Sequence, residues 1–86
     1  MRIIEANGLR LHWREDGDPN GVPVVFANSL GTDLRLWEAV LPLLPAGLRF
    51  IRFDLRGHGL SDCPPGPYAM DDLISDVEAL LDGLGL

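Results

Sequence analysis

The 86-residue sequence predicts an α/β fold in which antiparallel first strands are followed by a parallel strand–helix–strand–helix unit. An Asn-Gly pair separates two short strand-like runs near the N-terminus. Two further runs rich in apolar residues, 23–27 and 48–53, are each followed by a segment whose apolar residues recur at helical spacing. Strands that alternate with helices in this way indicate a parallel crossover.

The first two strands are predicted to form a hairpin. Residues 2–5 and 9–15 flank Ala6, Asn7 and Gly8, and Asn-Gly is a strong signal for a two-residue turn. In the second run two sets of side chains alternate, with Leu9, Leu11 and Trp13 on one face and Arg10, His12 and Arg14 on the other. This alternation predicts a half-exposed antiparallel strand on which His12 is solvated.

The middle of the chain is predicted to be strand, helix and strand. Residues 23–27 show no polar alternation, as expected of a parallel strand that is covered on both faces. The helix is predicted from apolar residues at helical spacing, namely Leu34, Trp37, Val40, Leu41 and Leu44. Thr32 or Asp33 would be its N-cap, and Pro42 would kink or restart it. Residues 48–53 form the next predicted strand.

The last element is the helix with the clearest pattern. Its apolar stripe contains Leu73, Ile74, Val77, Leu80, Leu81 and Leu84. Its acidic residues are expected on the polar face, namely Asp71, Asp72, Asp76, Glu78 and Asp82. Such a helix normally leads to another parallel strand, and a sheet without that strand would leave an apolar edge open. We therefore expect residues 1–86 to be the N-terminal portion of a single larger domain, completed by a complementary polypeptide.

Composition and charge exclude several classes of function. Thirteen acidic residues against seven Arg give a net charge of −6, which disfavours nucleic acid as a partner because binding it requires a basic surface. Cys63 is the only cysteine, and no His or Cys accompanies the acidic residues of the last helix to indicate a metal site. No run resembles a membrane span or a signal peptide, so we expect no membrane partner and a cytoplasmic location.

Two motifs carry the strongest functional signal. Residues 54–61 read D-L-R-G-H-G-L-S, and residues 28–31 read N-S-L-G directly after an apolar run. Together with residues 68–86 they resemble the N-terminal third of α/β-hydrolase-fold enzymes, and the resemblance covers residues 9–86. The N-S-L-G version, followed by Asp33, Leu34, Arg35 and Trp37, resembles that of 3-oxoadipate enol-lactonases in particular.

The resemblance implies that this turn takes part in acyl transfer. In α/β-hydrolases one oxyanion-hole donor comes from the loop after the third strand, which here corresponds to the backbone N–H of Leu30. Ser29, Leu30 and Trp37 would then contact the substrate, and the N-terminus of the next helix would add positive charge. From the residues alone, an ordinary turn capped by Thr32 or Asp33, with Trp37 in the core, is an open alternative.

The second motif is expected to be structural. Its members are Asp54, Arg56, Gly57, His58, Gly59 and Ser61. Asp54 and Arg56 are expected to pair and to brace this loop against the Leu30 loop. His58 invites a catalytic assignment, but the resemblance places the catalytic His later in the chain. No G-x-S-x-G elbow occurs in the sequence, so the nucleophile, acid and base would all lie outside it.

These implications predict the N-terminal segment of a serine hydrolase that cleaves a small-molecule lactone or ester. The expected substrate is 3-oxoadipate enol-lactone, in the β-ketoadipate pathway of aromatic catabolism. No metal or cofactor is implied, and the isolated segment should be inactive. Two alternatives remain: another α/β-hydrolase activity, such as that of an esterase, lactonase or perhydrolase, and a non-catalytic chain that pairs with a second polypeptide through its open sheet edge.

Overall fold

A computed structural model describes residues 2–86 of the chain. The elements in chain order are β1 (Arg2–Ala6), β2 (Leu9–Gly17), β3 (Val22–Phe26), two 3-10 helices (Leu34–Trp37 and Leu41–Leu43), β4 (Leu48–Phe53) and α1 (Met70–Gly83). Within these residues the strands form one sheet in the order β1-β2-β4-β3. β2 pairs antiparallel with β1 and β4, whereas β3 and β4 are parallel. The predicted α/β fold, with antiparallel first strands and a parallel crossover, is therefore confirmed.

The β1–β2 hairpin turns at the predicted Asn-Gly pair. Asn7 and Gly8 both have positive φ, at 54° and 75°, which is the requirement of a type I′ turn. The strands pair from Ala6 opposite Leu9 outwards. This turn fixes the register, because a slip of one residue would move every apolar side chain of β2 to the opposite face.

The helix predicted over residues 34–44 does not form. Two short 3-10 helices replace it, and bonds from the N–H of Glu38 to Arg35 O and from Val40 to Trp37 O keep the tighter i, i+3 pattern between them. Pro42 prevents a continuous α-helix from passing through this position, because its ring would lie against the carbonyl of Glu38 and one hydrogen bond would be unmade. The expected restart at Pro42 is found, because the second 3-10 helix has this proline in its first turn, whereas the expected α-helical geometry is absent on both sides of it.

Helix α1 packs on one face of the sheet, and its apolar stripe is only partly covered. The buried core consists of Ala6, Leu11, Phe53, Leu55 and Leu80. At the C-terminal end of α1, a Cβ added to Gly83 would lie 2.7 Å from Ile4 Cδ1, so helix and strand are in direct contact. Towards the N-terminal end, Ile74 is 48% exposed. The described residues therefore cover the second half of the stripe better than the first.

Strand β3 lies at the edge of the sheet. It pairs with β4 on one side, and no strand within residues 2–86 pairs with its other side. Its residues are exposed or half-buried, so the expectation of a strand covered on both faces is not met by the described part of the chain. None of the helices described here is long and apolar enough to cross a bilayer.

Candidate functional site

The loop of residues 28–31, which we call the 28–31 loop, joins β3 to the first 3-10 helix through a tight turn. The backbone N–H and the hydroxyl of Thr32 both donate to the Ser29 carbonyl, at 3.3 and 2.6 Å. Gly31, at the third position of this turn, has a φ of 82°, which identifies a type II turn. A Cβ added to Gly31 would meet nothing within 4 Å, so the turn requires glycine for its backbone conformation.

Leu30 occupies the second position of the turn and presents an unused donor. Its side chain is highly exposed, and within residues 2–86 its backbone N–H donates no hydrogen bond. The expected support from an α-helix dipole is lacking, because the segment that follows is a four-residue 3-10 helix with little aligned dipole. The electrostatic character of the site therefore depends on individual N–H groups.

Asn28 anchors the start of the 28–31 loop. Its side chain is buried, and its Nδ2 donates to the Phe53 carbonyl at the end of β4, at 2.7 Å. Its Oδ1 accepts a hydrogen bond of 2.7 Å from the Trp37 Nε1. The Trp37 ring also packs against Phe26 with centroids 5.0 Å apart. The indole that we expected in the substrate site thus contacts Asn28 and β3.

An apolar groove of about 420 Å³ lies between the 28–31 loop and α1. Its lining residues are Ala27, Asn28, Ser29, Leu30, Leu55, Met70, Leu73, Ile74, Val77 and Glu78. Two of the predicted contact residues, Ser29 and Leu30, are among them, and Trp37 is not. Leu30, whose backbone N–H is unused, therefore lines a mostly apolar depression, which is the usual setting of a small-molecule site.

Asp33, one of the two predicted N-caps, caps the first 3-10 helix. Its Oδ1 accepts the backbone N–H of Arg35 at 2.9 Å, and its Oδ2 is 2.8 Å from Arg35 Nη2. Side-chain hydrogen bonds from Arg35, helped by that backbone bond, hold the pKa of Asp33 at about 2. The Arg35 guanidinium is therefore occupied by Asp33, and its pairing in turn raises the pKa of Arg35.

Asp54 organises the second motif from the interior. It is 1% exposed, and its Oδ2 lies 2.8 Å from His12 Nδ1. The same carboxylate accepts backbone N–H groups from Leu34 at 2.7 Å and Leu60 at 3.0 Å. The expected pairing of Asp54 with Arg56 is wrong, and so is the solvated position expected for His12, which is buried. Three hydrogen-bond partners already satisfy the buried Asp54 carboxylate, so it does not require the Arg56 side chain as a fourth.

Arg56 pairs instead with Asp76 of α1. Two bonds of 2.6 and 2.7 Å join the guanidinium to both carboxylate oxygens, and this pairing raises the pKa of Arg56. Asn7 Nδ2 also donates to Asp76, at 2.9 Å. Asp76 was expected on the polar face of the helix, but it is buried because two partners compensate the loss of solvent.

The two glycines of the motif avoid close contacts. Gly57 and Gly59 have φ values of 74° and 50°. A Cβ on Gly59 would lie 2.3 Å from Asp54 Oδ2, and one on Gly57 would lie 2.9 Å from the Tyr68 ring. Ser61 closes the motif, because its hydroxyl donates to the Asp54 carbonyl at 2.7 Å. The chain therefore folds back tightly around the Asp54 carboxylate.

His58 connects the two motifs. Its Nδ1 is 2.9 Å from the Arg56 carbonyl oxygen, and its Nε2 is 3.0 Å from the Gly31 backbone nitrogen. A carbonyl can only accept and an N–H can only donate, so the ring is neutral with its proton on Nδ1. The brace between the two loops, which we expected from Asp54 and Arg56, is therefore made by His58. Sequence reasoning missed this contact because it joins positions 27 residues apart.

Residues 22–86 match a protein family described as alpha/beta hydrolase fold. The chain is 38% identical over 81 residues to 3-oxoadipate enol-lactonase 2 of Acinetobacter baylyi, which covers 94% of this chain and 30% of that relative. It is 34% identical over 85 residues to the non-heme chloroperoxidase of Streptomyces lividans, with 98% of this chain and 31% of that relative covered.

A solved structure of an enol-lactonase is also similar to this chain. The enol-lactonase from Burkholderia xenovorans LB400 superimposes with a TM-score of 0.92 at 42% identity, over 98% of this chain and 33% of that one. The chain thus spans about a third of the length of the relatives it matches. The similarities to 3-oxoadipate enol-lactonase 2 and to the Burkholderia enol-lactonase confirm the resemblance to enol-lactonases that the two motifs indicated. The chain belongs to the alpha/beta hydrolase fold family.

Proposed function

We propose that this chain is the N-terminal segment of a serine hydrolase that cleaves a lactone or ester, with 3-oxoadipate enol-lactone as the preferred substrate. The observation that carries the proposal is the type II turn of the 28–31 loop, in which the Leu30 N–H is unused and Leu30 lines an apolar groove. The similarity of the chain to 3-oxoadipate enol-lactonase 2 and to the enol-lactonase from Burkholderia xenovorans LB400 supports the choice of substrate.

The Leu30 N–H would serve as one donor of an oxyanion hole. When a serine attacks the carbonyl of a lactone, the carbonyl oxygen becomes negatively charged, and a fixed N–H stabilises that charge without reorganising. One such donor contributes roughly 3–4 kcal/mol to transition-state stabilisation. In this fold the second donor follows the nucleophile, and the serine, its His base and the orienting acid would be supplied by the rest of the enzyme.

The rest of the enzyme would occupy two surfaces that the described residues leave open. One is the unpaired edge of β3, where Val22 is 67% exposed, and the other is the apolar groove beside α1. A further parallel strand on β3 would end beside the 28–31 loop, because the carboxyl ends of parallel strands meet at the same edge of a sheet. We therefore propose that a complementary polypeptide segment completes both the sheet and the active site.

The test removes the donor from the complete enzyme. Leu30→Pro eliminates the N–H but suits the turn, because proline is favoured at the second position of a type II turn. We expect a loss of turnover on the order of a hundredfold or more. Leu30→Ala is the matched control, since it keeps the N–H and should lose much less. Turnover of a folded Leu30→Pro variant within a few-fold of wild type would refute this role for Leu30.

A second candidate is a different reaction on the same scaffold. The similarity to a non-heme chloroperoxidase at 34% identity favours this alternative, since it is close to the identity with the enol-lactonase. Rates of hydrolysis measured side by side on enol-lactones, saturated lactones and simple esters discriminate between the two candidates. A preference for simple esters of more than tenfold would favour the second.

A further inference from the structure

We infer that His58 is a positioning residue of the oxyanion hole, which holds the 28–31 loop by accepting the Gly31 N–H at its Nε2. This inference rests on the proposed function and adds a second motif to it. The distance between the His58 Nε2 and the Gly31 nitrogen is 3.0 Å. His58 lies outside the loop that it would control, and it contacts no reacting group in this role.

The 28–31 loop has few other restraints beyond Asn28. Ser29 and Leu30 are exposed, so side-chain packing does not fix them. Among the described residues, the Ser29 carbonyl accepts hydrogen bonds only from the neighbouring Thr32. Within residues 2–86, the bond from Gly31 to His58 is the one hydrogen bond that joins residues 29–31 to a distant segment. Loss of this bond would leave the tip of the turn anchored at one end.

His58 is itself held by a chain of contacts that reaches α1. Its Nδ1–H donates to the Arg56 carbonyl at 2.9 Å, and its backbone N–H donates to Leu55 O at 3.0 Å. The Arg56 side chain is fixed by its two bonds to the buried Asp76. Because the Nδ1 proton is committed to a carbonyl, the lone pair must be on Nε2, where the Gly31 N–H points. The ring therefore has a defined tautomer and a defined orientation.

The bond from Gly31 to His58 determines the type of the turn because it fixes the central peptide group of that turn. The Gly31 N–H and the Leu30 carbonyl belong to the same peptide plane, so fixing one fixes the other. Without an acceptor, this plane can rotate. The rotation changes the ψ angle of Leu30 and converts a type II turn towards type I. A misplacement of about 1 Å of a catalytic group can cost on the order of a hundredfold in rate.

These contacts also separate His58 from the general base. Both ring nitrogens are engaged, one with the Arg56 carbonyl and one with the Gly31 N–H, so neither is free to accept a proton from a nucleophile. A positioning residue should affect turnover through the geometry of the loop and leave substrate binding largely intact.

The experiment compares two variants of the complete enzyme. In His58→Gln the amide oxygen reaches about as far as Nε2 and can accept the Gly31 N–H, whereas in His58→Asn the oxygen stops near the position of Nδ1. We expect His58→Asn to lose about tenfold or more in kcat with KM within about threefold of wild type, and His58→Gln to recover most of that loss. Thermal unfolding of both variants provides the folding control.

Two spectroscopic measurements do not depend on activity. Hydrogen exchange at the Gly31 amide should accelerate in His58→Asn and stay slow in His58→Gln. In the wild-type enzyme, nitrogen NMR of the His58 ring should show the proton on Nδ1. A proton on Nε2, or unchanged kcat and exchange in a folded His58→Asn variant, would overturn the inference. If Leu30→Pro leaves hydrolysis unchanged, the proposed function fails. The exchange rate of the Gly31 amide and the tautomer of His58 still test the contact between His58 and the 28–31 loop.

Discussion

Replacing Asp76 by Asn tests the ion pair that links α1 to the second motif. The Asp76 side chain is 2% exposed and the Arg56 side chain 13%, and two short bonds join them. Removing one partner from a buried pair costs about 3–5 kcal/mol, because the remaining charge loses its compensation. Since the guanidinium retains some contact with solvent, we expect a loss near the lower limit, about 3 kcal/mol.

The assay is urea unfolding of the complete protein, with the loss of stability read from the shift in midpoint at constant slope. Asp82→Asn is the matched control, because Asp82 is exposed on the same helix and should change stability by no more than about 0.5 kcal/mol. Adding Arg56→Met to Asp76→Asn should restore part of the loss, since it removes the uncompensated charge. A loss of stability in Asp76→Asn no larger than that in Asp82→Asn would show that the ion pair with Arg56 does not stabilise the fold.

Two further predictions concern the space for a side chain at Gly59 and the stability of residues 1–86 on their own. Gly59→Ala should destabilise the protein by about 3 kcal/mol or more, because its Cβ would lie 2.3 Å from Asp54 Oδ2, whereas Gly31→Ala carries only the left-handed penalty of about 1–2 kcal/mol; the reverse order in thermal unfolding would contradict this. Residues 1–86 purified alone should not unfold cooperatively as a monomer, because the apolar groove and the β3 edge stay open; a sharp monomeric transition would show that no complementary segment is required.

Local signals made much of the fold predictable from sequence. Asn7 and Gly8 specify a hairpin turn through their own backbone preferences, and the apolar stripe of α1 is a periodic signal within one segment. The helix predicted over residues 34–44 fails for an equally local reason. Its periodic apolar residues suit a helix, but Pro42 interrupts the chain of hydrogen bonds and a new 3-10 segment begins there.

The contacts of the candidate site could not be predicted in this way, because they join distant positions. His12 meets Asp54 across 42 residues, and Arg56 meets Asp76 across 20. Alternation along β2 correctly separated two faces, but it could not show that a buried carboxylate would cover His12. A polar residue on the polar face of an alternating strand is expected to be solvated. Only the three-dimensional structure shows the partner that allows such a residue to be buried.

The bond from Asn7 to Asp76 has a consequence for biosynthesis. It joins residues 69 positions apart, in the β1–β2 turn and in α1. At a synthesis rate of about 5–20 residues per second, α1 follows the hairpin turn by roughly 3–14 s. During that interval Ala6 and Leu11, which α1 helps to bury, face the solvent or a chaperone. The hairpin can form early through its local turn, but its docking must wait until the ribosome has delivered the helix.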